Sequence, residues 1–458
     1  MGACEFVKND IDTKDFYREL DERIEKLKEM GLIRSLNYNI QEGKLNGLPF
    51  ALKDAICSKE DPTYAGSKIL EGYIPPFDST VAKRVKDSGG TIFAKTHQDE
   101  FGFGTASTTC AFATPRNPWD EKRCCGGSSG GGAGLTAALD LPHISLGEST
   151  GGSISEPAAF SGVVGLTPTY GLVSRYGLII FANSLDKIGP MARRVEDTAL
   201  ALEIISGQDD MDQTTVESDG NYMEALDGDI RGMKVGLPEQ YFQLADEGVS
   251  ETVMKAVNDL EDLGADIKKV DLEMTEAALP TYYIIAPSEA STNLAKYCGM
   301  RYGMEGNPET NFREYFSGIR GKGFGREVKR RVILGTYTRM AGYRDKYYLK
   351  ALKVRKKIIN DFKRVFKEID VIAAPTTPIV APRIDEIEVM EPMELYKLDK
   401  LTAPVNLAGM PQLSVPCGFY DDMPVGLHLM GDHFHEKKIL KAGYIYENKR
   451  GKIDYPGV

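Results

Sequence analysis

Short apolar segments alternate with helix-like segments along this 458-residue chain, and this alternation restricts the fold more than any other feature. The segments with strand character are Leu48 to Leu52, Thr91 to Ala94, Met233 to Leu237, a stretch starting near Ile267, Asp370 to Ala374, Gln412 to Phe419 and Pro424 to Met430. Helical spacing is found over residues 14–30, 80–87 and 250–263, and glycines follow each of them. This order predicts an α/β fold with a largely internal sheet. The chain has no internal repeat or clear linker, which favours one large domain.

Charge and cysteine content exclude several classes of protein. The net charge of −11 argues against a surface that binds nucleic acid throughout. The stretch from Arg326 to Glu368 is an exception, with fifteen Lys or Arg against four Asp or Glu. It is interpreted either as a solvated helix face or as a docking surface for an acidic partner. Seven cysteines without a CxxC pair indicate reduced thiols in a cytoplasm. No apolar run approaches the ~18 residues that a membrane span requires.

Residues 125–157 contain two clusters of small residues, CGGSSGGGAG and STGGSISEP. Glycine lets the backbone approach a ligand closely. Clusters that also carry Ser128, Ser129 and Ser153 indicate hydroxyl chemistry surrounded by backbone N–H donors. The alternative interpretation is a pair of flexible surface loops.

Two other motifs overlap this segment. Residues 147–151 fit the nucleophile elbow G-x-S-x-G, with Ser149 as nucleophile and His428, His433 or His435 as its base. Residues 132–137 fit a degenerate dinucleotide fingerprint, but a preceding strand and the expected acidic residue are missing. No phosphate loop of the G-x-x-x-x-G-K-[ST] type is present.

The run GGSSGG, followed by LG-x-x-TGGSI-x-x-P and preceded by LPFALKDAI, resembles the signature of the amidase signature family. Further matching segments, from DEFGFGTAST to PVNLAGMPQLSVPCGF, extend the resemblance over nearly the whole chain in one order. It implies a large mixed central sheet covered by helices on both faces. The implied division is a single domain over 1–458, with an N-terminal helical segment at 1–45, a catalytic core at about 46–200 and a glutamine-binding and C-terminal part at about 230–445.

The resemblance also implies a catalytic triad. Ser153 would be the nucleophile, Ser128 the proton bridge and Lys53 the base, because a hydroxyl both donates and accepts and needs a base to attack. A lysine accepts a proton only when it is neutral, which burial away from carboxylates favours. The backbone N–H groups of Thr150, Gly151, Gly152 and Ser153 would form the oxyanion hole. Ser129 would support the loop, and the Gly127–Ser128 peptide bond would be cis.

Glutamine has an α-carboxylate and an α-ammonium that an enzyme must hold. By the resemblance, Arg331 would bind the carboxylate and Asp399 the ammonium, with Tyr282 nearby. The planar fork of arginine suits a carboxylate. The alternative for Arg331 is an exposed charge on a helix surface.

The chain departs from the family pattern near these residues. Ser149 and Ser155 replace a usual Asp and Arg that pair with each other, so both partners are absent. Glu148 and Glu156 are expected to rearrange around the gap. The remaining departures are Thr167 for Lys, Gly132 for Ser and His97-Gln98 for Asn-Met.

Within the family, the chain is most similar to the glutaminase subunits of tRNA-dependent amidotransferases. This implies that the chain releases ammonia from glutamine for a second subunit, which binds tRNA and uses ATP and Mg²⁺. It also implies a small third subunit. No cofactor is expected in this chain, and tRNA would be held mainly by the partner. The amidated product would be Gln-tRNA(Gln), with Asn-tRNA(Asn) left open. The alternatives are a stand-alone amidase for small amides and a catalytically silent assembly protein.

Overall fold

The computed structural model describes residues 1–9 and 11–457. Within them, eleven strands form one sheet. The strands are β1 (Ile33–Leu36), β2 (Pro49–Lys53), β3 (Thr91–Thr96), β4 (Ile144–Ser149), β5 (Val164–Thr167), β6 (Lys187–Ala192), β7 (Lys234–Pro238), β8 (Asp266–Val270), β9 (Val371–Pro375), β10 (Gln412–Tyr420) and β11 (Met423–Gly431).

The helices account for most of the remaining regular structure. They are α1 (Ala3–Lys8), α2 (Thr13–Glu29), α3 (Thr80–Asp87), α4 (Gly130–Ala138), α5 (Ser155–Ser161), α6 (Val195–Ile205), α7 (Glu239–Gln243), α8 (Glu247–Asp262), α9 (Thr275–Asn293), α10 (Phe312–Gly323), α11 (Arg326–Arg339), α12 (Lys350–Val365), α13 (Ile384–Val389), α14 (Pro392–Tyr396), α15 (Ala403–Ala408) and α16 (Glu436–Arg450). Across the described ranges, every helix is too short or too polar to cross a bilayer.

The sheet is mixed, with the order β1-β3-β2-β4-β6-β5-β10-β11-β9-β7-β8. Parallel pairs join β2 to β3 and β4, and join β7 to β8 and β9. The other pairs are antiparallel, including the long β10–β11 hairpin. The predicted α/β class and mixed sheet are therefore confirmed.

Local signals in the sequence place several elements accurately. The predicted helix at residues 14–30 is α2, and the Asp12 side chain caps it by accepting from the backbone N–H of Lys14 at 2.9 Å. Gly31 follows α2 with a φ of +70°, a conformation that favours glycine at a helix end. The predicted helices at 80–87 and 250–263 correspond to α3 and α8.

The strand order brings the two halves of the signature together. Strands β2 and β4 are parallel neighbours, with Leu52 opposite Leu146. Their carboxyl ends therefore lie at the same edge of the sheet, so Lys53, the last residue of β2, is close to Glu148 near the end of β4.

The first glycine cluster is a buried helix rather than a flexible surface loop. All nine residues of α4 are buried. A Cβ at Gly131 would collide with the backbone of His97, and one at Gly134 would lie 2.6 Å from Leu32 Cδ2. The glycines thus allow α4 to pack against its neighbours at a distance that side chains would prevent.

Candidate active site

Lys53 and Ser128 meet in the interior. Lys53 Nζ donates to Ser128 Oγ at 2.7 Å, and both side chains have no exposed surface. The two residues are distant in sequence. Lys53 is at the end of β2, and Ser128 is in the loop that precedes α4. The structure therefore brings together the residues predicted as base and proton bridge.

Glu148 is a partner of Lys53 that the sequence analysis did not predict. Its Oε2 atom lies 2.9 Å from Lys53 Nζ, and its backbone carbonyl accepts from the same Nζ at 3.0 Å. Only 3 % of the Glu148 side chain is exposed. The expectation that Lys53 is buried is confirmed, but the expectation that it lies away from carboxylates is wrong. The signal was present in the sequence, because Glu148 belongs to the same motif as Ser153.

The serine loops are joined by hydrogen bonds. Ser129 donates from its backbone N–H to the carbonyl of Ser153 at 3.2 Å, and from its Oγ to the carbonyl of Glu148 at 3.1 Å. The Gly127–Ser128 peptide bond is cis, as the family resemblance implies. Ser153 is 6 % exposed, in contrast to Ser128, so the predicted nucleophile is the serine that a substrate can reach.

Asp99 supports the Ser128 loop and was missed by the sequence prediction. Its carboxylate accepts from the backbone N–H of Ser107 at 2.8 Å, and from the N–H and hydroxyl of Thr109 at 3.0 and 2.8 Å. Its own N–H donates to the carbonyl of Ser128 at 3.2 Å. A Cβ at Gly127 would collide with the Asp99 carboxylate. Glycine at 127 is therefore required for this close contact.

The turn from Thr150 to Ser153 presents its backbone to the site. Within residues 1–9 and 11–457, none of these four N–H groups donates to a protein acceptor. The Tyr282 ring covers Gly151, where a Cβ would lie 2.5 Å from Tyr282 Cζ, and Thr402 packs equally closely on Gly152. Free N–H groups beside a serine hydroxyl are the arrangement that stabilises an oxyanion.

Arg331 is buried rather than on a helix surface. It is 2 % exposed on α11, and its guanidinium carbon lies 5.0 to 5.9 Å from the ring centroids of Phe103, Phe181, Tyr283 and Tyr396. Its Nε donates to Glu327 Oε1 at 2.8 Å. Glu327 thus fixes one side of the Arg331 guanidinium, and the four rings enclose the group. These contacts orient its remaining N–H groups.

Asp399 contacts Tyr283, one of the four rings around Arg331. It is 5 % exposed and accepts from the Tyr283 hydroxyl at 2.6 Å. Burial raises the pKa of Asp399 to about 6. Tyr283 thus contacts Asp399 and also packs against Arg331. The sequence prediction named Tyr282, which covers Gly151, and it missed Tyr283, because the packing of α9 against α11 brings that ring to Arg331 and Asp399.

Ser149 does not have the partners that a nucleophile elbow requires. Its Oγ donates to Asn406 Oδ1 at 3.4 Å. His428 is hydrogen-bonded to Gln412 at 2.7 Å, and His433 to the carbonyl of Ala408 at 3.0 Å. In the part of the chain that the structure describes, no histidine is hydrogen-bonded to Ser149. The geometry therefore favours Ser153 over Ser149.

The replaced charges leave unpaired polar groups around the site. Ser155 Oγ, Thr167 Oγ1, Lys187 Nζ and both carboxyl oxygens of Glu156 are buried and have no hydrogen-bond partner among the described residues. Burial lowers the pKa of Lys187 to about 7 and raises the pKa of Glu156 well above its ordinary value. Both groups are therefore driven towards their neutral forms. Glu148 pairs with Lys53, and Glu156 has no hydrogen-bond partner among the described residues, so their rearrangement around the gap remains a prediction.

No group of three or more His, Cys, Asp or Glu side chains that could hold a metal ion is found in the residues that the structure describes. The described site contains Lys53 paired with Glu148, three serines, backbone N–H groups and an aromatic pocket with one arginine and one aspartate.

Comparisons with known proteins agree on the family. The family model described as Amidase matches residues 19–440. In Halothermothrix orenii, the A subunit of glutamyl-tRNA(Gln) amidotransferase is 48% identical over 440 residues, covering 94% of this chain and 92% of that protein. The crystal structure of the A subunit of glutamyl-tRNA(Gln) amidotransferase from Thermotoga maritima matches with a TM-score of 0.84 at 38% identity, over 97% of this chain and 94% of that one. The peptide amidase from Stenotrophomonas maltophilia matches with a TM-score of 0.80 at 28% identity, over 99% and 96%.

Proposed function

The chain belongs to the amidase family, and on this basis we propose that it is the glutaminase subunit of a tRNA-dependent amidotransferase. The observation that carries the proposal is the buried hydrogen bond between Lys53 Nζ and Ser128 Oγ, which lies beside the loop of Ser153. A serine hydroxyl needs a base to become a nucleophile, and this pair supplies one through a second hydroxyl.

The proposed reaction uses each of these groups in turn. Ser153 Oγ attacks the side-chain carbonyl of glutamine, and its proton passes to Ser128 while the proton of Ser128 passes to Lys53. The negative charge that forms on the carbonyl oxygen is stabilised by the free N–H groups of residues 150–153. One such donor typically contributes about 3 kcal/mol. The proton returns through Ser128 to the leaving nitrogen as ammonia departs, and water then hydrolyses the acyl-enzyme.

Arg331 and Asp399 support an α-amino acid as the substrate. Both side chains contact Tyr283. A positive and a negative side chain therefore lie together at one end of the site. An α-carboxylate facing Arg331 and an α-ammonium facing Asp399 would orient the amide of glutamine towards Ser153. Charge-assisted hydrogen bonds of this kind are about twice as strong as neutral ones.

The proposed partners are the other subunits of such an amidotransferase. The second subunit would bind the misacylated tRNA and use ATP and Mg²⁺, and a small third subunit would complete the assembly. The net charge of this chain, −11, supports a partner that holds most of the tRNA. The basic stretch from Arg326 to Glu368 is the part of this chain that an acidic partner would contact.

A second candidate is a stand-alone amidase that acts on small amides. The likeness to the peptide amidase at 28% identity supports it, because that relationship extends over 99% of this chain. The two candidates differ in their substrates and in their dependence on partners, and not in the proposed chemistry of Ser153.

Co-expression with candidates for the second and third subunits tests the function directly. We expect the purified complex to convert Glu-tRNA(Gln) to Gln-tRNA(Gln) with glutamine and ATP, and the Ser153→Ala complex to do so only when ammonium chloride replaces glutamine. The ammonium-dependent reaction shows that the variant complex is assembled. Efficient hydrolysis of simple amides by the chain alone, without any complex, would favour the second candidate.

A further inference from the structure

Glu148 contacts the amine that the proposed reaction needs as a base. An ammonium group has three N–H donors and no acceptor. Lys53 Nζ has three acceptors within reach, namely Ser128 Oγ at 2.7 Å, Glu148 Oε2 at 2.9 Å and the Glu148 carbonyl at 3.0 Å. Every ammonium proton is thus hydrogen-bonded, and Ser128 accepts from Lys53 in this arrangement.

The carboxylate of Glu148 has a second contact, with the hydroxyl of Thr150. Thr150 Oγ1 lies 2.7 Å from Glu148 Oε1 and 2.9 Å from Asp186 Oδ1. A hydroxyl donates only one proton, so one of the two carboxyl groups must be protonated for both contacts to be hydrogen bonds. Burial, followed by the charge of Glu148, raises the pKa of Asp186 well above its ordinary value. This direction favours Asp186 as the protonated partner and Thr150 as a donor to Glu148, while the backbone N–H groups of Phe181 and Ala182 also donate to Asp186.

From these contacts we propose that Glu148 controls the catalytic base: it holds Lys53 as an ammonium ion, so that the site is inactive until Lys53 loses this proton. The inference rests on the proposed role of Lys53 as base. In the paired state the hydrogen bond runs from Lys53 to Ser128, which is opposite to the direction that proton transfer from Ser153 requires. Loss of the proton leaves a buried carboxylate without its cation, which opposes activation.

Other charged groups surround this pair. Asp54, which follows Lys53, is already paired with Arg34 at 2.7 Å. Asp99 is saturated by backbone and hydroxyl donors. The titratable groups that interact electrostatically with Lys53 or Glu148 from the surrounding elements are Asp99, Asp186, Lys187 and Tyr282. Of the described carboxylates around Lys53, Glu148 is the one in direct contact with Nζ.

Glu148→Gln tests the proposal because glutamine has nearly the same shape and no charge. We expect the low-pH limb of the plot of kcat against pH for glutamine to shift to lower pH by at least about one unit. At a given pH on that limb, kcat then rises about tenfold. KM should change little, because the hydrogen bonds of the Glu148 carboxylate go to Lys53 and Thr150 and not to Arg331 or Asp399. Glu447→Gln, which removes a largely buried carboxyl group on α16 that accepts from the backbone N–H of Val195, is the matched control and should leave the profile in place. A Glu148→Gln enzyme that is slower at every pH would overturn the proposal.

Phenylmethanesulfonyl fluoride provides a second measurement that needs neither a variant nor glutamine. Its sulfur bonds to the oxygen of an activated serine as fluoride leaves and the serine proton passes to the base. We expect the wild-type chain to be labelled at Ser153 with a rate that rises steeply above neutral pH. A rate that is constant from pH 6 to pH 9 would overturn the control by Glu148 while leaving Ser153 as nucleophile. Labelling elsewhere than Ser153 would instead reject the proposed function.

Discussion

Gly151→Ala is the sharpest test of how the oxyanion turn is built. A Cβ at this position would lie 2.5 Å from Cζ and 2.7 Å from the hydroxyl of Tyr282. Ordinary contacts between carbon atoms are about 3.5–4.0 Å. The turn and the ring must therefore separate by about 1 Å or more, and Tyr282, which is 3 % exposed, is enclosed on its other sides.

This separation has a cost in stability and a larger cost in rate. Overpacking of a dense interior typically costs about 1–3 kcal/mol. Displacement of positioning groups by about 1 Å can lower a rate about 10²-fold. We therefore expect kcat/KM for glutamine to fall about a hundredfold, with a modest decrease in the midpoint of thermal unfolding.

Ammonia release under steady-state conditions and thermal unfolding measure the two effects. Gly132→Ala is the matched control, because it adds the same methyl group in the buried helix α4, where the contact is Met191 Cε at 2.8 Å. That atom ends a flexible side chain and can move, and alanine gains about 1 kcal/mol over glycine in a helix. Activity of Gly151→Ala within threefold of the wild type would show that Tyr282 does not constrain the turn.

Three further predictions concern the base, the substrate pocket and a buried acid. Lys53→Ala should lower kcat for glutamine by about 10²–10⁴, as measured by ammonia release, because it removes the proton acceptor; a decrease below tenfold would contradict that role. Arg331→Met should raise KM for glutamine about thirtyfold or more, from the loss of at least about 2 kcal/mol of buried charge pairing, and an unchanged KM would reject Arg331 as the carboxylate ligand. Glu156→Gln should stabilise the protein increasingly as pH rises from 5 to 8. Burial raises the pKa of Glu156, so between the unfolded and folded values the unfolded state has lost a proton that the folded state keeps, and the stability of the wild type falls with pH by up to about 1.4 kcal/mol per unit. Equal differences in unfolding midpoint at pH 5 and pH 8 would contradict this.

Elements with strong local signals were predicted well. The helix α2 begins after a capping Asp12 and ends before Gly31, and both signals lie within a few residues of the boundary. Strands β7, β9, β10 and β11 were recognised from compact apolar runs. By contrast, the sequence leaves a flexible loop as an alternative for the segment of α4, because its glycines have a low helix propensity and packing against neighbours such as His97 and Leu32 stabilises the helix.

The sequence prediction of the site came from motif resemblance and named the residue types that the chemistry requires. The roles of Ser153, Ser128 and Lys53, and the division into segments at 1–45, 46–200 and 230–445, remain predictions. The contact of Lys53 with Ser128 was implied by the resemblance, but its contact with Glu148 was not predicted. Glu148 is 95 residues away in sequence, and its carboxylate reaches Lys53 because β2 and β4 are parallel neighbours in one register.

The amino-acid sequence by itself determined the α/β class, the positions of α2, α3 and α8 and of most of the described strands, and the chemistry available in the glycine-serine segment, because these depend on local periodicity and residue type. The tertiary structure alone decided that Arg331 is enclosed by aromatic rings and that Glu148 is paired with Lys53. Charge state depends on burial and on neighbours within a few ångströms. Those neighbours come from distant segments, and strand order and helix packing bring them together.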